Sequence, residues 1–124
     1  MRSKIRNISF LLFLTFTLVA CANSFIKSSF DTLAVSKATY DSTLNVAGDL
    51  YKQGLMSEEQ KTEAIKIGNV YMVTHNEAVN ALLNYKMLAT DQNKDIYLKS
   101  AADVSARLAD LLEYLKPIIL KEEN

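Results

Sequence analysis

The sequence predicts an all-α fold, a small up-down-up three-helix bundle that follows a cleaved signal peptide. The 124 residues include only three glycines and one proline, too few for the many tight turns of an antiparallel sheet. Apolar residues instead recur at steps of three and four, the spacing of one face of a helix. Long helices joined by short turns pack most simply with this apolar seam inside.

The N-terminal segment has the layout of a secretory signal peptide. An apolar stretch over 8–19 ends at the small Ala20, and three basic residues precede it. These basic residues are Arg2, Lys4 and Arg6. We expect cleavage of residues 1–20. A retained membrane helix is the alternative, although the apolar stretch is shorter than the roughly 20 residues that span a bilayer.

The end of this stretch, Leu18-Val19-Ala20-Cys21, resembles the lipobox of bacterial prolipoproteins. The resemblance implies that the chain is cleaved before Cys21 and that its thiol carries a diacylglycerol with chains such as palmitate. A plain signal peptide without lipidation is an alternative. Each buried CH₂ of an acyl chain contributes about 0.8 kcal/mol, so two or three chains imply a lasting membrane anchor, in the periplasm or at the cell surface. Ala22 follows in place of the aspartate of inner-membrane lipoproteins, which implies the outer membrane in a Gram-negative host.

The mature part would be mildly acidic. Loss of residues 1–20 leaves about 104 residues, enough for one domain. They carry 11 basic against 14 acidic side chains, a net charge of about −3. This balance disfavours a nucleic-acid partner, which needs a clustered basic face. With the sole cysteine acylated, no disulfide can form.

The first helix is predicted over about 29–53. Residues 21–27 form a lipidated tether, and the bundle domain occupies 28–124. Ser28 or Ser29 would cap the helix, and Gly54 would end it. Its apolar stripe comprises Leu33, Tyr40, Leu44, Ala47 and Tyr51. Within the tether, Phe25 and Ile26 could enter the membrane interface or pack under the bundle, and we favour packing.

The second helix is predicted over about 58–88. Ser57 and Gln60 match a capping box, the clearest helix start in the chain. Two apolar rows give this helix a wide face that can contact both neighbours: Ile67, Tyr71, Ala78, Leu82, Tyr85 and Ile65, Met72, Val79, Leu83. Gly68 would either weaken the helix or allow a close helix contact.

The third helix is predicted over about 94–116, starting at Asp91 or Lys94. Its seam alternates steps of three and four through Ala101, Val104, Leu108, Leu111 and Leu115. Two i,i+4 ion pairs are expected on its exposed side, Asp95 with Lys99 and Asp103 with Arg107. Pro117 should end or kink the helix. The same seam would also suit a helical hairpin that completes its core with a second copy.

Residues suited to catalysis are sparse, and we expect no enzyme. His75 is the only histidine, and its neighbours lie at other azimuths of the helix, so we expect no metal ligand set. Glu59 and Glu63 share a helix face, but lysines surround them, which favours a solvated charged face. No cofactor is predicted.

Two features are candidates for partner binding. Asn76, Asn80 and Asn84 recur every four residues on the second helix, where asparagine is a poor helix former. Tyr97 and Tyr114 are the tyrosines least clearly placed in the core, and tyrosine is enriched at binding hot spots. The alternative interpretations are a solvated strip for the asparagines and simple packing for the tyrosines.

Together these features predict a small helical lipoprotein that acts by binding a protein partner in the cell envelope. An adaptor, an accessory subunit, and an exclusion or immunity factor all fit this description. The alternative is a structural envelope protein that self-associates through helix seams. A hydrolase with unidentified residues ranks third.

Overall fold

The structure is a computed structural model that describes the backbone of residues 2–123 and the side chains of residues 23–121. Its three helices are α1 (Arg2–Lys52), α2 (Glu58–Met87) and α3 (Asp91–Glu123), with no strand in residues 2–123. Every pair of helices is in contact, most extensively α2 with α3. The predicted all-α class is confirmed. The predicted signal peptide and Cys21 lie outside the residues with described side chains.

The helices run up, down and up, as their contacts show. Along α1, Leu33, Ser36 and Tyr51 contact residues that come progressively earlier in α2, so these helices are antiparallel. The three contacts are Leu33 with His75, Ser36 with Tyr71, and Tyr51 with Glu58. At the other end of α2, the ring centroid of Phe25 lies 5.6 Å from that of Tyr85 and 5.9 Å from that of Tyr97. The part of α1 around Phe25 therefore lies beside the end of α2 and the start of α3.

The core lies along the centre of the bundle, and the predicted stripes supply most of it. Residues of the α1 stripe and of the first α2 row are buried or half-buried. The prediction of a second apolar row on α2 is only half correct. Met72 and Val79 pack on the core, whereas Ile65 and Leu83 are exposed. The two neighbours of α2 therefore cover a narrower face than the sequence pattern indicates.

The residues of the predicted α3 seam are buried or half-buried against the other two helices, and the seam is longer than expected. Tyr97 and Ile118 extend it by one step at each end, and both are buried. Leu111 and Leu115 are fully buried in its middle. Because the bundle itself covers this seam, the hairpin that would complete its core with a second copy is not the observed fold.

The end of α1 is set by glycine. Gly54 has a φ of 76°, a left-handed conformation that costs glycine little. Its N–H donates to the Tyr51 carbonyl at 3.1 Å, and the Leu55 N–H donates to the Leu50 carbonyl at 2.9 Å. This pair of bonds is the Schellman motif, which satisfies carbonyls at the helix end.

Hydroxyl side chains cap the N-termini of the other two helices. The Gln60 N–H donates to Ser57 Oγ at 3.1 Å, and the Ser57 N–H donates to Gln60 Oε1 at 2.9 Å, so the predicted capping box is confirmed. Thr90 Oγ1 accepts from the Asn93 N–H at 3.1 Å and thereby caps α3, which begins at Asp91.

The prediction of a tether is wrong for residues 23–27, which belong to α1. Phe25 and Ile26 pack against the core, as favoured, and these contacts hold the segment on the bundle. Ser28 and Ser29 consequently lie inside the helix and cap nothing.

Pro117 does not end α3, which continues to Glu123. A proline inside a helix costs about 3 kcal/mol. Ile118 is buried and Ile119 is half-buried in the turn that follows. Full burial of an isoleucine contributes about 1.5–3 kcal/mol, so these two side chains are enough to offset the proline.

The two ion pairs expected on α3 do not form among the described residues. Arg107 pairs with Asp110 at 2.9 Å instead of with Asp103, and Asp95 and Lys99 are not paired. Exposed pairs contribute only about 0–1 kcal/mol, so sequence spacing alone does not decide between partners three and four residues away.

Candidate functional site: a groove between the first and third helices

An open apolar groove of about 430 Å³ lies between α1 and α3. We call it the α1–α3 groove. One wall comes from α1, and Leu112 and Ile119 of α3 form the other. The α1 residues recur at helical steps along one face: Val35, Ala38, Thr39, Ser42, Thr43 and Val46. From position 35 to 46 the wall is about 16 Å long, at a rise of about 1.5 Å per residue.

The threonine hydroxyls of this wall are bonded to carbonyls of their own helix. Thr39 Oγ1 donates to the Val35 carbonyl at 2.9 Å, and Thr43 Oγ1 donates to the Thr39 carbonyl at 2.7 Å. A hydroxyl that is already bonded to its own helix loses little when a partner excludes water. The groove is therefore more apolar than its composition suggests.

The groove continues along α3 into a second hollow of about 320 Å³. This hollow shares Leu112 and Ile119 with the first and adds Leu120, with Glu113 and Lys116 at its edge. The combined surface has an apolar floor and charged residues on one side, the arrangement of a polar rim around an apolar interface.

The side chains of α1 explain why the groove is open. Ala38 and Ser42 are too small to fill the space between two neighbouring helices. Val35 and Val46 remain 67% and 41% exposed, and Leu112 opposite them is 41% exposed. Exposed apolar side chains gathered in one concave place are typical of interaction sites.

The interface between α1 and α2 holds a buried polar cluster instead of an open surface. The hydroxyls of Ser36 and Tyr71 lie 2.7 Å apart, and the Tyr40 hydroxyl donates to the Gly68 carbonyl at 3.1 Å. The Tyr40 and Tyr71 rings stack at 4.3 Å. Burial raises the pKa of both tyrosines. Of the two alternatives for Gly68, the structure shows the close helix contact.

His75 belongs to the same interface. It is buried beside Tyr71, and its Nε2–H donates to the Leu33 carbonyl at 3.3 Å. Nδ1 is buried with no hydrogen-bond partner among the described residues. The histidine thus joins the two helices across their interface.

A smaller hollow of about 250 Å³ lies near the α1–α2 turn. Tyr51 lies at its edge, where its hydroxyl donates to Glu58 and the Lys61 ammonium lies 4.3 Å from its ring centroid. The hydrogen bond to Glu58 raises the pKa of Tyr51. These contacts connect the end of α1 to the start of α2 across the turn.

The structure separates the five residues predicted for partner binding. Asn76, Asn80 and Asn84 are all exposed on α2, away from the α1–α3 groove. Tyr97 is 3% exposed and packs against Phe25, so it is a core residue, which is the packing alternative that the sequence left open. Tyr114 is half-buried against the core.

The groove itself was missing from the sequence predictions, although a signal for it exists. The α1 wall is a second row of small and β-branched residues at helical spacing, beside the main stripe. Leu112 and Ile119 are separated by seven residues and lie next to the α3 seam. Either row alone is ordinary, and only the packing of α1 beside α3 brings them together.

Within residues 23–121, the range with described side chains, no helix combines the length and the hydropathy that crossing a bilayer requires. In that same part, no group of three or more His, Cys, Asp or Glu side chains is placed to hold a metal ion. Comparison with protein-family models, with curated proteins and with solved structures finds no match for this chain.

Proposed function

We propose that this protein is a membrane-anchored helical lipoprotein of the cell envelope that acts by binding a partner protein, without catalysis. Acyl chains on Cys21 would provide the anchor, as its resemblance to a lipobox implies, at the periplasmic or outer face of a membrane. The α1–α3 groove is the observation that supports binding. Anchoring would raise the local concentration of this groove beside other envelope proteins.

The groove suits an amphipathic helix as its occupant. Its α1 wall spans about 16 Å, or three turns of a helix. The small Ala38 and Ser42 in the middle allow a helix backbone to approach closely, and Val35, Val46 and Leu112 offer apolar contacts around them. Helix-in-groove recognition uses such an apolar groove with anchors at steps of three and four.

Site-specific photo-crosslinking tests this proposal in living bacteria. A photoreactive side chain at Val46 of the full chain should give a defined adduct with an envelope protein. Ser42→Arg should abolish that adduct, because a long charged side chain would fill the middle of the groove. Val73→Arg is the matched control, since Val73 is exposed on α2 outside the groove, and the adduct should persist in it.

Two results would contradict the proposal. An adduct that survives Ser42→Arg would mean that the groove is not the binding site. An adduct with twice the mass of this chain would mean self-association, and the protein would then be a structural element of the envelope.

A further inference from the structure

We propose that the turn between α2 and α3 contacts the lipid bilayer and holds the bundle upright on it. Met87 and Leu88, which we call the apolar tip, would enter the membrane interface. This inference rests on the proposed acylation of Cys21, which brings the bundle to the membrane, and it adds which end of the bundle faces the lipid.

Among the described residues, the apolar tip is the most exposed apolar pair at this end of the molecule. Met87 is 85% exposed and Leu88 is 63% exposed. Large apolar side chains projecting from a turn gain no packing within the fold. They are suited to a partner that is itself apolar, such as the boundary between lipid headgroups and acyl chains.

The chain places its anchor at the same end of the bundle. Phe25 contacts Tyr85, which lies only two residues before Met87. Cys21 precedes Phe25 by four residues, and even a fully extended chain covers at most about 14 Å over that distance. An acylated Cys21 therefore has to hold this end, and not the opposite one, close to the bilayer.

The backbone of the turn is suited to partial dehydration. The Leu88 carbonyl accepts from the Thr90 N–H at 2.9 Å and from Asn93 Nδ2 at 2.8 Å. The Leu88 N–H donates to the Asn84 carbonyl at 2.9 Å. Because these groups are already bonded within the protein, moving the turn among headgroups leaves fewer of them unsatisfied.

Charged residues around the tip have mixed signs. Lys27, Lys86 and Lys94 are balanced in part by Asp91 and Asp95. Lysine stems can lie along an apolar surface while their ammonium groups reach the headgroups. The contact therefore depends on apolar insertion near a fixed anchor rather than on attraction to anionic lipid.

The opposite end of the bundle differs in chemistry. Met56 is buried there, and Leu55 is 43% exposed, half the exposure of Met87. The exposed Glu58 and Glu59 follow in the first turn of α2. Among the described residues this end has no adjacent apolar pair as exposed as Met87 and Leu88, so it is expected to point away from the membrane.

Tryptophan fluorescence tests the orientation, because the natural chain contains no tryptophan. The full chain with Met87→Trp would be purified from bacterial membranes, checked for acylation by mass, and placed in phosphatidylcholine vesicles with brominated acyl chains. We expect its emission to shift to shorter wavelength and to lose most of its intensity. Leu55→Trp is the matched control at the other end of the bundle. Its emission wavelength and its intensity should stay unchanged.

Several outcomes would overturn the inference. Acylated protein in which Met87→Trp and Leu55→Trp are quenched equally, or not at all, would refute the orientation alone. A blue shift at Met87→Trp that depends on protein concentration and not on brominated lipid would mean that a second copy covers the tip. Protein without acyl mass would refute the proposed anchor and this inference with it. Leu88→Trp is an independent reporter if Met87→Trp fails to fold.

Discussion

Gly68→Ala tests the close contact between α1 and α2. A Cβ at position 68 would lie 3.0 Å from the Tyr40 hydroxyl oxygen and 3.4 Å from its ring carbon Cε2. Tyr40 has little freedom to withdraw, because it is buried, stacked on Tyr71 and hydrogen-bonded to the Gly68 carbonyl. The substitution therefore forces either the ring or the helix to shift.

The expected cost of Gly68→Ala follows from three contributions. Alanine gains about 1 kcal/mol over glycine in a helix interior. Loss of the Tyr40 hydrogen bond costs about 1 kcal/mol. Overpacking of a filled interface costs about 1–3 kcal/mol. The free energy of unfolding should consequently fall by about 1–3 kcal/mol.

Gly48→Ala is the matched control within α1. No described atom lies within 4 Å of a Cβ built there. Only the helix propensity changes, so the free energy of unfolding should rise by about 1 kcal/mol. For a domain of this size, that gain corresponds to a rise in Tm of about 4–8 °C.

Urea denaturation of the full chain, followed by far-ultraviolet circular dichroism, measures both variants. Tyr40→Phe provides a further check, because it removes the oxygen that lies nearest to the new Cβ. Gly68→Ala should cost less in the Tyr40→Phe background than in the natural chain. A Gly68→Ala variant that is stabilised as much as Gly48→Ala would refute the close contact. So would a double variant in which the losses of Gly68→Ala and Tyr40→Phe simply add.

Three other predictions concern α3 and the buried tyrosines. Leu111 is fully buried, whereas its neighbour Leu112 is 41% exposed. In chemical denaturation, Leu111→Ala should therefore lower the free energy of unfolding by about 2–5 kcal/mol. Leu112→Ala should lower it by less than about 1 kcal/mol. Pro117→Ala should raise the free energy of unfolding by up to about 3 kcal/mol in the same assay, because the exposed proline interrupts a helix that continues past it. Burial raises the pKa of Tyr40 and Tyr71 above the ordinary value of 10.0. The folded state therefore keeps these protons when the unfolded chain has lost them, and stability should be complete below about pH 10 and decline as pH rises through the folded pKa values. Tyr71→Phe should reduce that alkaline decline in thermal melts.

Different results would contradict the orientation of α3, the cost of Pro117 and the role of the buried tyrosines. Equal losses for Leu111→Ala and Leu112→Ala would mean that α3 is rotated from the described orientation. An unchanged or lower stability of Pro117→Ala would mean that the proline is favoured at its position. An alkaline decline in Tyr71→Phe as steep as in the natural chain would place the titrating groups elsewhere.

Much of the fold could be predicted because its signals are local. The Ser57 capping box and the left-handed Gly54 depend only on residues nearby in sequence, and both were predicted correctly. The α3 seam follows from a strict three- and four-residue alternation. Tyr97 and Ile118 continue that alternation, so the pattern could have identified them as core residues as well.

The predictions that failed depend on tertiary contacts. Phe25 extends α1 because its ring meets aromatic side chains of the other two helices. Pro117 stays within α3 because the isoleucines after it pack against the core. The α1–α3 groove arises from how closely two helices approach, and the spacing within either helix does not determine that distance.

Both proposals depend on an acyl anchor at Cys21, and the intact mass of the protein reveals such an anchor directly. The full chain and its Cys21→Ser variant would be expressed in a bacterial host, fractionated and weighed intact. We expect only the natural chain to lose the mass of residues 1–20, gain acyl mass and sediment with membranes. Identical fractionation of the two proteins, with masses that differ only by the replacement of sulfur by oxygen and show no acyl addition, would contradict this prediction.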